Sequence, residues 1–245
     1  MPPSAKSSIL SAQLHGSTPA QQGTPRHIGV ILDGNRRWAR HHGVTLAEAY
    51  ARGAARVRDL VTWCESSGIP AVTVFALSRD NLYRANEAIG QILCAVAMGL
   101  ESIAETGKWH IRIIGELDLV PAAAAAQLAS IADRTTGESW GTLNVGVAYD
   151  GRTDIVNAVR SLMQEDSAGD LVTENDLERY LSTAGQPDID LVIRTSGECR
   201  LSGFMPWQAA YAEYYVTQTA WPEFTVEAFT DALNWFLARE RRFGH

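Results

Sequence analysis

The chain has 245 residues, 46% of them hydrophobic and 20% charged, with a formal net charge of −7. Those values sit inside the globular range and exclude collagen-like, coiled-coil and disordered classes. No stretch reaches the roughly 18–20 uninterrupted apolar residues of a membrane span, and the acidic balance speaks against non-specific nucleic-acid binding. Cys64, Cys94 and Cys199 are odd in number and far apart, which argues against a disulfide scaffold or structural zinc and favours a reducing, cytoplasmic setting.

Residues 1–26 are rich in Ser, Ala, Gln, Pro and Gly without a sustained apolar period, and read as a disordered leader. From residue 27 the pattern alternates. The runs 27–32 (HIGVIL), 71–77 (AVTVFAL), 110–114, 142–148 and 190–193 are short and apolar, as strands covered on both faces are. Between them Val57, Leu60, Val61 and Cys64 form one stripe, and Ile89, Ile92, Leu93, Val96, Leu100 and Ile103 another. Their spacing of three and four residues is that of a helix. The expected helices span 50–66, 86–106, 121–134, 152–164, 173–182 and 225–240. Strand and helix alternate with no Pro/Ser-rich linker, which predicts one α/β domain over 27–245 with a mainly parallel central sheet flanked by helices.

Ligands of an open parallel sheet bind beyond the carboxyl ends of its strands. The first expected strand ends in Asp33-Gly34-Asn35-Arg36-Arg37-Trp38-Ala39-Arg40. Arginines at a helix start oppose the helix dipole, and an anion bound to the free N–H groups there would remove the conflict. The last expected strand ends in Arg194-Thr195-Ser196-Gly197-Glu198-Cys199-Arg200-Leu201-Ser202-Gly203. Two planar guanidinium forks, three hydroxyls and two glycines suit a diphosphate cradle. Ser78-Arg79-Asp80-Asn81 follows the second strand, and a basic run, Arg239 to His245, ends the chain. Neither a GxxxxGK[ST] loop nor a GxGxxG turn is present, so nucleotide binding has no positive support. The residues themselves indicate diphosphate chemistry with a carboxylate placed for Mg2+, and leave open whether the organic part is a sugar, a nucleotide or a lipid.

Together these motifs resemble the cis-prenyltransferase (undecaprenyl diphosphate synthase) family over residues 27–244. HIGVILDGNRRWA resembles its first signature and DLVIRTSGECRLSGFMPWQAAYAEYYV its last; WPEF followed by RERRFG resembles the ending. The resemblance implies a parallel sheet with a hydrophobic tunnel, a homodimer, and Mg2+-dependent addition of isopentenyl diphosphate to an allylic diphosphate with a new cis double bond. On this reading Asp33 and Asn35 are catalytic, Asp33 binding Mg2+ and Asn35 standing near the proton-abstraction step. Gly34, Arg36, Arg37, Trp38 and Arg40 belong to the allylic diphosphate pocket, with Ser78, Asn81 and Arg84 beside it. Arg194, Arg200 and Ser202 cradle isopentenyl diphosphate, Glu213 is a second magnesium carboxylate, and Arg242 and Gly244 reach the site across the dimer.

The chain also departs from the family pattern. Tyr50 stands where many members have His, Asp150 replaces a Gly, Pro206 precedes Trp207, and Arg79 adds a charge expected to lie beside the reaction centre. The short helix 86–106 and the bulk of Leu77, Leu82 and Leu93, expected at the tunnel floor, point to a Z,E-farnesyl-type product of about fifteen carbons held away from water. The alternatives are irregular coupling or cyclisation on the same scaffold, supported by Arg79 and Pro206, and a non-catalytic partner subunit.

Overall fold

A computed structural model describes residues 23–165 and 172–240. Residues 1–22 of the expected leader, and Arg242 and Gly244, lie outside the described residues. Ordered contacts begin before residue 27: Pro25 is buried, and the Arg26 backbone N–H donates to the Asp190 carboxylate at 2.8 Å.

Six strands form one sheet: β1 (His27–Ile31), β2 (Ala71–Ser78), β3 (Trp109–Ile114), β4 (Gly141–Tyr149), β5 (Leu191–Arg194) and β6 (Glu213–Val216). Their order is β3-β4-β2-β1-β5-β6 and every pairing is parallel. Five strands match the apolar runs. The sixth was not expected, because EYYV is only four residues long and, on the sheet edge, none of its residues is fully buried.

The helices are α1 (Asn35–His42), α2 (Leu46–Ser66), α3 (Asn86–Ala104), α4 (Ala122–Asp133), α5 (Gly151–Gln164), α6 (Glu174–Glu178) and α7 (Val226–Leu237). The helix expected over 173–182 stops at Glu178, and the one expected over 225–240 stops at Leu237. Thr45 and Glu48 close a capping box at the start of α2, satisfying two N–H groups that the first turn leaves free. By length and composition α3 could cross a membrane. Here it is a core helix, burying Ile89, Ile92, Leu93, Leu100 and Ile103.

Helices α2, α3 and α7 share one core with the sheet face that carries Ile28, Val30, Val72, Val74, Val145 and Ile193. The other face packs Ile31, Phe75, Tyr149 and Val192 against Phe204 and Met205 of the segment after β5. That segment lies so close that a Cβ on Gly29 would stand 2.8 Å from the Phe204 ring. Burial on both faces explains why the strands read as continuous apolar runs rather than alternating ones.

Because all six strands are parallel, their carboxyl ends share one edge. The chain leaves β1 for β2 on one side and later places β5 on the other. The gap beyond β1 and β5 is therefore the topological switch point, where open α/β sheets bind ligands. Asp33 follows β1 and Arg194 ends β5, with Ile31 and Arg194 in register.

Candidate active site

Gly34, at φ 103°, turns the chain from β1 into α1. A Cβ there would meet the Ser196 hydroxyl at 2.8 Å and the Ala220 methyl at 2.9 Å, so the position needs both the left-handed conformation and the missing side chain. The first turn of α1 holds no acidic residue, and Arg36 and Arg37 occupy it.

The two ends of the switch point are tied together by Asp33. Its Oδ1 accepts from the Gly34 N–H at 2.8 Å and its Oδ2 from Arg194 Nη2 at 3.0 Å. Its own N–H donates to Thr195 Oγ1 at 2.9 Å. Arg194 is 5% exposed, and its Nη1 also donates to Ser202 Oγ at 3.0 Å and to the Arg200 carbonyl. Ser196, Gly197, Ser202 and Gly203 all have positive φ. The loop after β5 thus curls back over Arg194, a conformation costing about 1–3 kcal/mol at each non-glycine residue and typical of ligand clamps.

A cavity of about 880 Å³ opens at this edge. Asp33, Gly34, Asn35, Arg36, Arg37, Arg40, Ser78, Asn81, Arg84, Arg194, Arg200 and Ser202 all line it, so the structure brings together residues drawn from three separate stretches of sequence. Among the described residues, six arginines face two carboxylates, Asp33 and Glu198. Arg37 lies 3.7 Å from Glu198 and 3.9 Å from Asp33. Burial, and next the charge of Arg36, push the Arg84 guanidinium below its ordinary pKa, while Tyr50 and Asp33 act in the opposite sense. An anion between these arginines would relieve that repulsion. Inward from the charged mouth the lining is apolar: Leu46, Ala54 and Val57 of α2, Ile92, Val96 and Leu100 of α3, and Val74 and Val145 of the sheet.

Other expected residues lie elsewhere. Trp38 does not line the cavity; its ring stacks on His42 at 4.5 Å with the Arg52 guanidinium 5.3 Å above it. Glu213 begins β6 opposite Leu191, three residues below Arg194 in the ladder, which is about 10 Å at the rise of a strand. It faces Arg239, 3.2 Å away. One chain therefore does not bring Glu213 to Asp33, because nearness of motifs in sequence says nothing about which end of a strand a residue occupies. Leu77, Leu82 and Leu93 do not line the tunnel either; Leu77 and Leu93 are spent in the core.

Arg79 is not beside the reaction centre. It donates to Thr153 Oγ1 at 2.8 Å and lies 3.3 Å from Glu116, tying the turn after β2 to the start of α5. Pro206 also has a packing role, since its ring fills the space that a Cβ on Gly151 would need. Replacing the half-exposed Arg79 by Ser is expected to change kcat/KM by less than about threefold and stability by less than about 1 kcal/mol, as steady-state kinetics and urea unfolding would show.

Beyond the expected residues, the lining includes Gly53 and Trp221, and also Tyr50, which the sequence marked only as a departure from the family pattern. The Tyr50 hydroxyl is buried in the cavity wall, where it interacts with the Arg84 guanidinium, while Gly53 and Trp221 form the wall behind Asn35. The signal for Tyr50 and Gly53 was the helical phase of α2, which puts Leu46, Tyr50, Gly53, Ala54 and Val57 on one face.

Comparison with known proteins agrees with this geometry. The family model described as putative undecaprenyl diphosphate synthase matches residues 31–244. A (2Z,6E)-farnesyl diphosphate synthase of Mycolicibacterium smegmatis is 42% identical over 231 residues, 90% of this chain and 88% of its own length. A short-chain Z-isoprenyl diphosphate synthase of Mycobacterium leprae is 40% identical over 94% of this chain and 91% of its own length. Among solved structures, lavandulyl diphosphate synthase from Lavandula x intermedia, in complex with dimethylallyl diphosphate, superposes with a TM-score of 0.85 at 29% identity. The match covers 91% of this chain and 99% of that one.

Proposed function

This chain belongs to the undecaprenyl diphosphate synthase family of prenyltransferases, and we propose that it adds isopentenyl diphosphate to a short allylic diphosphate to give a Z-prenyl diphosphate of about fifteen carbons. The observation that carries the reading is the form of the cavity, an arginine-lined mouth leading into an apolar tunnel between α2 and α3. Its volume of about 880 Å³ falls in the range of about 300–1,000 Å³ that holds small ligands. The relatives named for short Z-prenyl products support the same length.

The work divides along the cavity. Arg194, Arg200 and Ser202 hold the isopentenyl diphosphate, Arg194 being oriented by Asp33 before substrate arrives. The Gly34–Asn35 helix start, with Arg36, Arg37 and Arg40, holds the allylic diphosphate and stabilises the negative charge that grows as it leaves. Ser78, Asn81 and Arg84 close the mouth on the β2 side. The apolar walls exclude water from the allylic cation. Asn35 donates through Nδ2 to the Leu32 carbonyl at 3.0 Å and keeps Oδ1 buried and unpartnered, an acceptor suited to guide the proton lost on condensation toward the diphosphate.

Mg2+ fits this donor set, because it takes one or two carboxylates and fills its shell with water and phosphate oxygens. Asp33 is one such carboxylate, and among the described residues no group of three or more His, Cys, Asp or Glu is placed to hold a metal without substrate. Bound by Asp33 and the diphosphate, the ion would neutralise leaving-group charge. The reading includes a homodimer whose Arg242 and Gly244 complete the partner's site, with Glu213 serving the metal from outside its own chain's cavity. It also includes a cytoplasmic location.

The test is product analysis. Incubation with Mg2+, isopentenyl diphosphate and, in separate reactions, dimethylallyl, geranyl or farnesyl diphosphate should yield one linear short Z-prenol after dephosphorylation, identified by mass spectrometry against Z and E standards. A branched or cyclic product, or a polyprenol far longer than farnesol, would overturn it.

Tunnel length gives a further expected result. At Gly99, which lines the cavity, a Cβ would stand 3.1 Å from the Ala54 methyl and 3.3 Å from its carbonyl oxygen. Gly99→Val should therefore shift the product mixture toward one isoprene unit fewer, at a stability cost of about 1–3 kcal/mol from overpacking. Mass spectrometry and thermal unfolding read the two effects.

A further inference from the structure

Asn35 is held by residues far from it in sequence. Trp221 is fully buried and yet borders the cavity. Its backbone N–H donates to the Asp33 carbonyl at 2.9 Å. Its indole N–H donates to the Gly53 carbonyl of α2 at 2.8 Å. One residue thus fastens the β1–α1 loop and helix α2 to each other.

Gly53 lies in an ordinary helical stretch, outside the set of residues with positive φ. The absence of a side chain there serves space rather than backbone freedom. A Cβ would stand 2.7 Å from Asn35 Oδ1 and 3.2 Å from Trp221 Cδ1. The Asn35 amide is therefore boxed. Its Nδ2 end must face the Leu32 carbonyl, because only that end donates. Its Oδ1 end rests on the bare backbone of Gly53.

We infer that Trp221 is a positioning residue, which pins α2 at Gly53 against the β1–α1 loop and so fixes the one orientation of Asn35 that leaves Oδ1 unpartnered in the cavity. The inference rests on the proposed function for the use made of Asn35, but not for the geometry. Preorganised groups lose about 10²-fold in rate when displaced by about 1 Å. A methyl at Gly53 must displace Oδ1 by a similar distance, because van der Waals contact between carbon and oxygen lies well beyond 2.7 Å.

The test is a double-mutant cycle over Gly53→Ala and Asn35→Ala, with Trp221→Phe alongside. Gly53→Ala should lower kcat by about 10–100-fold with little change in either KM, and by less than about twofold when Asn35 is already replaced by Ala. Trp221→Phe, which keeps an aromatic ring and loses the indole donor, should lower kcat in the same sense with KM retained. Phe224→Leu alters the same aromatic cluster, since Phe224 stacks on Trp221 at 5.6 Å, but should lower the melting temperature and leave kcat unchanged. Independent, multiplying losses for Gly53→Ala and Asn35→Ala would overturn the inference, as would a kcat loss in Phe224→Leu equal to that in Trp221→Phe.

Melting temperatures of the four cycle proteins test the geometry without turnover. Gly53→Ala should cost about 2–8 °C in the chain that keeps Asn35 and much less in the Asn35→Ala background; equal costs would overturn the steric coupling. Absence of prenyl product from the unsubstituted enzyme would instead count against the proposed function and leave the thermal cycle to decide the geometry.

Discussion

Asp33→Asn is expected to lower kcat by about 10²–10³-fold, the scale for removing one preorganised charge-stabilising group. Among the described residues two carboxylates line the cavity, and Glu198 is engaged by Arg37 at 3.7 Å and by Arg200. Asp33 is the one at the switch point, between the diphosphate-binding helix start and Arg194. Asn keeps the shape and an acceptor for the Gly34 N–H, but gives up the charge. The Mg2+ concentration for half-maximal rate should rise together with the fall in kcat. Stability should fall by about 1–2 kcal/mol: Arg194 is left buried without an ionised partner, and the 3–5 kcal/mol typical of a fully buried pair is reduced because the Asp33 side chain is 34% exposed. Steady-state kinetics over a Mg2+ series and urea unfolding separate the two effects. A kcat within tenfold of the unsubstituted enzyme, at any Mg2+ concentration, would show that Asp33 does not act on the reacting diphosphate.

What could be read in the sequence follows from which constraints are local. Parallel strands buried on both faces announce themselves as unbroken apolar runs, and so β1 to β5 were visible. Strand β6 was not, because an edge strand of four residues buries too little for its composition to show. The two diphosphate motifs were visible because each follows its own strand, and parallel order alone then carries both to one edge. Residues whose placement depends on register or helix phase could not be placed from the sequence. Glu213 lies within a diphosphate-associated motif but begins its strand instead of ending it. Trp38 shares α1 with Arg37 and Arg40 but projects to the side where His42 and Arg52 stack on it. Arg79 looked like a charge added to the site, and only the fold shows Thr153 and Glu116 within its reach.

The same separation of scales resolves an apparent conflict between overall charge and ligand charge. A chain of net charge −7 is a poor candidate for binding diphosphates if its charge is treated as spread evenly. Six of its arginines nonetheless line a single cavity, and a cleft lined by one sign of charge focuses the field there. Acid residues elsewhere, many paired on the surface as Glu101 is with Arg134 and Glu65 with Lys108, do little to cancel it at a range beyond about 8–10 Å in salt. Net charge therefore speaks against a broad nucleic-acid surface without excluding a compact anion site.

Acidification should destabilise the protein through His27, by about 3 kcal/mol in total. His27 opens β1 and is fully buried. Its Nδ1 faces the Pro187 carbonyl at 2.7 Å and must donate there; its Nε2 then accepts from the Thr73 hydroxyl at 2.7 Å. Thr73 Oγ1 in turn accepts from Asn144 Nδ2 at 2.9 Å, and Asn144 exchanges two hydrogen bonds with Gln186. The chain of donors across β1, β2 and β4 is complete only when the imidazole is neutral. Burial lowers its pKa from 6.5 to about 4, against smaller opposing contributions from the Pro187 carbonyl and the Asp190 charge. The unfolded chain therefore binds a proton that the native chain refuses between those two values. The stabilisation is fully present above pH 6.5, is lost as pH falls toward 4, and levels off below it. By pH 5 about 2 kcal/mol should be gone. Urea unfolding from pH 7 to 4.5 measures the slope, and His27→Gln, whatever its own stability, should flatten it in that window. Equal slopes in the two proteins would show that His27 titrates as it does in the unfolded chain, and that the polar row across the sheet tolerates an imidazolium.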